Sequence, residues 1–393
     1  MKAAIALAVL AEMFCSIRLG AQTLPDGNQQ DIENAAVKYL RADASLRQSY
    51  ALPSDAAAKL QKALDSPLNE EDERLVAAAD EALTEFGHGA ASRRCNWEMS
   101  TEDGPLASTA HRGAIMELVS VSGLRARLRF RDGDTPGAMD DLLAAMAAAR
   151  HLSVDGSLAS VLFAYKLENA LTKVLALNLY HFSSGQLKEL KSRLDDLPTG
   201  SSLGAAFAAE KVGRNNVLDI AQRAKSRDEL IEMLLKNVPI LESNRGLAIE
   251  VVDGCGGTVK DFLNCVDQQQ SLYNAWASRF NLAPEQFERE YKAEIEKVSK
   301  ENPVIRQFTP ALPRFRWTEA YCQTRRALLQ AAIAVELDGA STLSRHLDPY
   351  DRNRFSYGPV DRGFRLQSQL SDNGIPISLL VVTKPTNDAL SPD

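Results

Sequence analysis

Apolar side chains recur every three to four residues along most of this chain, and this spacing constrains the fold more than any other feature. The period places these side chains on one face of an α-helix. The clearest of the faces are Trp317, Tyr321, Thr324, Leu328, Ala331 and Val335; Met139, Leu142, Leu143, Met146 and Ala149; and Leu167, Leu171, Val174, Leu175 and Leu179. The sequence therefore predicts about ten helices between residues 30 and 338, joined by short Gly, Pro and Asp breaks.

Several helix starts can be placed from local chemistry. Asn69 precedes three acidic residues, a pattern typical of a capped first turn. Thr135 is predicted to cap another helix, with Pro136 in its first turn, where a missing N–H has no cost. Pro284 is predicted to begin a third.

The pattern changes after Gly339, where the helical period stops. Two short alternating segments flank Gly358-Pro359 and Gly363, and they predict a β-hairpin packed on one face. Residues 377–382 could add a third strand. The predicted fold is mainly α, an irregular stack of antiparallel helical hairpins with a small C-terminal β-hairpin.

The domain prediction follows these breaks. We expect a signal peptide over residues 1–21, a helical body over 22–253, and a second helical segment over 254–346 packed on the first. The C-terminal β-hairpin is predicted over 347–383 and a loose tail over 384–393.

The signal peptide is predicted from the first residues. Lys2 is followed by the apolar run Ala3–Leu10 and by small residues ending at Ala21. This order is typical of an export signal, and the run is too short to span a bilayer. Glu12 interrupts the pattern, so an ordinary N-terminal helix is the alternative. We expect a periplasmic or extracellular protein without a transmembrane span after the signal is removed.

Four cysteines would remain after cleavage: Cys95, Cys255, Cys265 and Cys322. An even number in an exported chain permits two disulfides. Cys255 and Cys265 flank a glycine-rich segment that could fold back, so they are the favoured pair, and Cys95–Cys322 would then follow by elimination. The alternative is that all four are buried free thiols.

The search for chemistry predicts no catalytic residue, no cofactor and no metal site. Gly200-Ser201-Ser202-Leu203-Gly204 matches a nucleophile elbow, but a charged helix precedes it instead of a buried strand. Ser201 or Ser202 is better interpreted as a helix N-cap. The five histidines lack metal-ligand spacing and are assigned structural roles.

One segment differs in charge from the rest of the chain. Residues 306–365 contain ten Arg and no Lys, whereas the whole chain has a net charge of −7. Arginine with aromatic residues is a composition that protein interfaces favour. The predicted partner surface is Arg352, Arg354, Arg362, Arg365, Tyr350 and Phe355. The alternative is that these arginines pair with acids of the helical body and hold the hairpin down. Nucleic-acid binding is not expected from an acidic chain.

Two local patterns resemble known proteins. Residues 124–131, the turn Asp132-Gly133-Asp134 and the small residues after it resemble the middle of a tetratricopeptide unit, although no second copy follows. Three parts of the chain carry a second set of motifs: the opening Glu33-Asn34-Ala35-Ala36-Val37-Lys38-Tyr39, the turn Cys95-Asn96-Trp97, and Asp348-Pro349-Tyr350, Tyr357, Gly363-Phe364, Leu366 and Ser368 near the C-terminal end. This set resembles a group of uncharacterised, exported, largely helical bacterial proteins that end in an Asp-Pro-aromatic hairpin. The chain departs from the group by having Asp351-Arg352-Asn353 where a Gly follows the aromatic residue.

The resemblance implies no established activity. The leading hypothesis is an exported, non-enzymatic protein that presents a helical surface for protein interaction in the cell envelope. The alternative is an envelope hydrolase that acts on cell-wall or polysaccharide material through carboxylates in an interhelical groove. The sequence leaves the oligomeric state open.

Overall fold

The computed structural model describes residues 34–97, 109–209, 218–238, 241, 244–308, 312–372 and 374–383. It is mainly helical, with a small antiparallel sheet at the C-terminal end, and this confirms the predicted fold class. The predicted signal peptide and loose tail lie outside the described residues. The helices of the first half are α1 (Ala35–Ser49), α2 (Ala56–Ala63), α3 (Glu70–Ala78), α4 (Asp80–Ala90), α5 (Thr109–Arg131), α6 (Thr135–Leu152), α7 (Leu158–Leu177) and α8 (Ser184–Asp195).

The helices of the second half are α9 (Leu203–Ala209), α10 (Arg227–Asn237), α11 (Arg245–Gly254), α12 (Val259–Ala277), α13 (Pro284–Val298), α14 (Pro303–Phe308) and α15 (Leu312–Asp338). Three strands follow: β1 (Ser356–Val360), β2 (Gly363–Asp372) and β3 (Ile375–Val382).

Local chemistry fixes the helix starts, with one correction. Asn69 caps α3 through a capping box, as its position predicts. Helix α6 is capped by Asp134, whose side chain accepts a hydrogen bond from the Gly137 N–H at 3.0 Å, so Thr135 is the first helical residue and not the cap. A carboxylate is as good an N-cap acceptor as a hydroxyl, and here it lies one residue earlier.

Helices α5 and α6 form the tightest hairpin of the body. Gly133 between them has a φ of +85°, a conformation that favours glycine. Asp141 on α6 binds the Arg125 guanidinium on α5, with a shortest N–O distance of 2.7 Å. Small alanine side chains on α6 allow the two helices to approach closely.

The sheet has the strand order β1-β2-β3, and both pairs are antiparallel. Gly358 and Pro359 belong to β1, and the reversal falls at Asp361-Arg362. The third strand begins at Ile375, two residues before the predicted start. The inner face of the sheet buries alternating apolar residues against the helices: Phe364, Leu366 and Leu370 from β2, and Ile377, Leu379 and Val381 from β3.

The buried side chains form three clusters. The first takes its members from residues 35–194 and 320–381, so it joins the N-terminal helices, α15 and the sheet. The second is rich in aromatic side chains and lies between α7, α9, α12, α13 and α15. The third lies around α10, α11 and the first half of α12. Helix α15 contributes to both the first and the second cluster. No helix within the described ranges combines the length and hydropathy that crossing a membrane requires.

Candidate functional site

The segment that follows α15 is fixed by one buried carboxylate. Asp348 is 1% exposed, and its Oδ2 accepts hydrogen bonds from the Ser368 hydroxyl at 2.5 Å and from the Gln369 N–H at 3.0 Å. Its Oδ1 accepts from the Tyr350 N–H at 3.0 Å. Hydrogen bonds to an ionised acceptor are among the stronger ones in proteins. Asp348 therefore ties the turn before β1 to the middle of β2.

A second attachment joins the sheet to the helical body. The Arg325 guanidinium of α15 donates from Nη1 to the Ser378 carbonyl of β3 at 2.6 Å. Arg316 and Arg326 are likewise occupied, with Glu319 and Glu168 respectively. For these three arginines the structure follows the alternative expectation, because they pair within the body or hold the sheet down.

The four arginines of the predicted partner surface behave differently. Their side chains are exposed, and none forms a salt bridge with another described residue. Arg352 lies in the turn after Asp348, Arg354 follows it, Arg362 occupies the β1–β2 reversal, and Arg365 lies in β2. We call Arg352, Arg354, Arg362 and Arg365 the arginine surface.

The solvent-facing side of the sheet adds apolar area beside these charges. Register pairs Arg365 with Gly358 on one side and Leu380 on the other. Because Gly358 has no side chain, the aliphatic stem of Arg365 is not covered from β1. Five of the seven exposed large apolar residues in the described ranges lie in this segment: Leu347, Tyr357, Val360, Ile375 and Leu380. Of these, Val360 and Leu380 lie on the same side of the sheet as Arg365, whereas Tyr357 lies on the other side and stacks on the Phe364 ring.

Two residues of the predicted surface are not free. Phe355 is only 4% exposed and belongs to the first core cluster. The Tyr350 hydroxyl donates to the Glu285 Oε1 at 2.6 Å, which attaches the turn to α13. These two side chains anchor the segment and do not present it to a partner.

A buried ionic cluster between α6, α7 and α15 was not predicted from the sequence. Glu168 is 2% exposed and accepts from the Arg150 Nε at 2.6 Å and from Arg326. The Cys322 thiol donates to the same carboxylate at 3.7 Å, and burial raises the pKa of this thiol to about 12. The one sequence feature that could have indicated this cluster is the position of Glu168 between Leu167 and Leu171 on the apolar face of α7.

Glu319 extends the cluster along α15. Its Oε1 accepts from the Tyr165 hydroxyl at 2.9 Å and from the Leu203 N–H at 3.0 Å, at the start of α9. Burial raises the pKa of Tyr165 well above its ordinary value. Both buried glutamates are held by arginines and hydrogen-bond donors, an arrangement that suits a structural role.

The histidines have structural partners as well. His111 Nε2 lies 2.9 Å from the Asp155 carboxylate, and the Ser160 hydroxyl donates to the same carboxylate. Asp155 is therefore the central residue, whereas a catalytic serine requires the histidine in that place. His151 Nδ1 lies 2.8 Å from the Tyr39 hydroxyl, and burial lowers the pKa of His151 to about 4.

A third buried group lies between α1 and α5. Arg47 binds Asp43 at 2.9 Å and Glu117 at 2.8 Å, so two carboxylates share one guanidinium. Burial raises the pKa of Glu117 to about 7, with a further contribution from Asp43 and in spite of Arg47. The interior between α1 and α5 therefore disfavours the ionised form of Glu117.

Metal and disulfide chemistry can be checked over the same ranges. Within them, no group of three His, Cys, Asp or Glu side chains is placed to hold a metal ion. Cys95, Cys255, Cys265 and Cys322 are all free thiols, so neither predicted bridge is present in this structure. The Ser202 hydroxyl accepts from the Ala205 N–H at 3.1 Å, which confirms the N-cap interpretation of the elbow-like motif.

No family model, curated protein or solved structure matches this chain.

Proposed function

We propose that this protein is an exported, non-enzymatic component of the cell envelope, whose arginine surface binds a protein partner that presents carboxylates. The observation that carries the proposal is the set of four exposed arginines without a salt bridge to another described residue. Arginine binds carboxylates through two parallel N–H donors, and a partner could therefore supply the missing acceptors.

The apolar side chains beside these arginines favour a protein partner. Leu380 and Val360 are 39% and 38% exposed on the same sheet. A contact with a polyanion would use the charges alone, whereas a protein interface also buries apolar area. The net charge of −7 further disfavours nucleic acid as the partner.

Strand addition at the β1 edge is not the expected mode of contact. β1 is an edge strand of five residues and contains Pro359, which has no N–H to donate. We therefore assign binding to the solvent-facing side of the sheet and to the turns that carry Arg352 and Arg362.

The test is crosslinking in the native envelope, with recovery of the protein and mass spectrometry. The triple variant R352E/R354E/R362E reverses three charges of the arginine surface. The matched control is R41E/R93E/R289E, because these three arginines are also exposed, lack a salt bridge to a described residue and lie outside the sheet. We expect a partner that the control retains and the test variant loses.

Binding between the purified protein and its purified partner then tests whether the contact is direct and electrostatic. The partner, produced separately, should bind directly, and its affinity should fall as salt rises, because exposed charges are screened. Equal loss in both variants, or capture of only an anionic lipid or polysaccharide, would contradict a protein partner bound at this surface.

Export has its own measurement. The intact mass of the protein recovered from the envelope fraction should correspond to a chain that begins at Gln22. A mass that includes residues 1–21 would contradict cleavage of the predicted signal.

A further inference from the structure

The solvent-facing side of the sheet presents its side chains in three rows across the strands. Alternate residues of a strand point to the same face, and the register places residues of neighbouring strands side by side. The rows are Val360, Gly363 and Val382; Gly358, Arg365 and Leu380; and Ser356, Gln367 and Ser378. Arg365 is the single charged residue among these nine. The face therefore offers one guanidinium in otherwise uncharged surroundings.

The first row contains a gap between two valines. Val360 and Val382 lie on the outer strands, two strand spacings or about 10 Å apart. Gly363 between them has no side chain, and a Cβ at this position would collide with the Val381 carbonyl, so the fold requires glycine here. Val360 is 38% exposed and Val382 is half-buried. The gap is therefore open to solvent, has apolar walls and is wide enough for one aliphatic side chain.

The second row places a cation beside this gap. Arg365 lies two residues from Gly363 along β2, which corresponds to about 7 Å. The Arg365 side chain is exposed and has no salt bridge to another described residue. Its neighbour on β1 is Gly358, where an added Cβ would meet no atom within 4 Å, so a ligand can approach the guanidinium from that side. An exposed guanidinium binds a carboxylate through two parallel N–H donors.

We propose that this face binds an extended peptide segment of the partner, in which a carboxylate and an aliphatic side chain are two residues apart. In an extended chain, residues i and i+2 point to the same side about 7 Å apart, which equals the distance from Arg365 to the gap over Gly363. The carboxylate pairs with Arg365, and the aliphatic side chain lies between Val360 and Val382. The inference rests on the proposed function, because it names the part of the protein partner that this surface recognises.

The test is a titration of the full-length, methyl-labelled protein with a synthetic peptide, followed by nuclear magnetic resonance. The peptide Ser-Glu-Ser-Leu-Ser-Glu-Ser, with both ends blocked, has the required spacing in either chain direction. The control peptide Ser-Ser-Glu-Leu-Glu-Ser-Ser has the same composition, but in an extended chain its carboxylates point away from the side of the leucine. We expect the first peptide to shift the methyl signals of Val360, Val382 and Leu380. We expect it to bind about tenfold more tightly than the control, because only the first peptide can use the charged hydrogen bonds and the gap together.

Two variants separate the charge from the gap. Arg365→Gln removes the guanidinium and should weaken binding of the first peptide about tenfold. Val360→Ser removes one apolar wall and should weaken it about threefold. The matched controls are Arg41→Gln and Val154→Ser, because both residues are exposed and lie outside the sheet. These two controls should leave the affinity unchanged.

Three results would overturn the inference: methyl signals that stay unchanged at millimolar peptide, equal affinity for the two peptides, or an unchanged affinity in Arg365→Gln. The titration uses no envelope partner, so its outcome is separate from the crosslinking experiment. A partner that is lost with R352E/R354E/R362E, together with a failed titration, would refute only the peptide recognition. Specific binding of the first peptide without a recovered partner would refute only the proposed function.

Discussion

The buried carboxylate of Glu168 gives the sharpest stability prediction. It lies 2.6 Å from the Arg150 Nε, is 2% exposed, and is also contacted by Arg326. Substitution by glutamine keeps the size of the side chain and removes its charge. The two guanidiniums would then face each other without a counter-ion, since the next carboxylate, Glu319, is engaged elsewhere.

The magnitude follows from the geometry. Opposite charges about 4 Å apart attract by about 4 kcal/mol at the effective dielectric constant that suits protein sites. The Arg326 side chain is 36% exposed, so water screens its attraction to Glu168. The attraction between Arg150 and Glu168 is therefore the larger of the two. Breaking a buried pair by removing one partner costs about 3–5 kcal/mol. We expect Glu168→Gln to lower the free energy of unfolding by about 4 kcal/mol.

A double-mutant cycle separates charge from packing. Arg326→Leu alone should lower the free energy of unfolding by about 1 kcal/mol, because Glu168 still forms its salt bridge with Arg150. In the double variant Arg150 has no guanidinium to repel it, so the combined loss should be smaller than the sum by about 2 kcal/mol. Urea unfolding followed by far-ultraviolet circular dichroism gives all four values. A Glu168→Gln protein within about 1 kcal/mol of the wild type, or strict additivity, would refute the reasoning.

Three further predictions concern other parts of the fold. The pKa of Glu117 is raised to about 7, so folding disfavours its ionised form, and stability should fall as pH rises from about 5 to 8, by up to about 3 kcal/mol. Glu117→Gln should remove most of this slope in urea titrations at several pH values, and an unchanged slope would assign it to another group. Asp348→Ala should cost about 3 kcal/mol and accelerate amide hydrogen exchange in the sheet before the helices, since it removes three hydrogen bonds to a buried carboxylate. Amide exchange that rises equally in the sheet and in the helices would argue against a local role of Asp348 in holding the sheet. Gly133→Ala should cost about 1 kcal/mol in thermal unfolding, because φ is +85° while an added Cβ meets nothing within 4 Å; no loss would mean that the turn adapts.

Periodicity predicted the fold well because it reports burial directly. The apolar spacing of α15 places Leu328, Ala331 and Val335 in the core, and alternation in the last segment predicts the hairpin of β1 and β2, with the third strand left as an option. The first residue of a helix is predicted only to within one position. Asp134 and Thr135 are both good N-cap acceptors, and the backbone conformation decides which of them caps α6.

The candidate site could be predicted only in part. A cluster of arginines is visible in sequence, but their partners are distant along the chain. Arg325 reaches Ser378, whereas Arg365 faces solvent, and sequence alone cannot separate the two cases because sheet register and helix packing decide them. The composition of the segment predicts Phe355 on the surface, whereas in the structure its side chain is buried in the first core cluster.

The make-up of the first core cluster has a consequence for the order of assembly. Its members come from residues 35–194 and 320–381, and the chain between them supplies the third cluster and most of the second. During synthesis the N-terminal helices therefore wait for α15 and the strands before their apolar faces are covered. Contacts between segments so distant along the chain form slowly, because a long loop must close first. Until α15 and the strands have been made, the largest core of a nascent chain of this design therefore stays open.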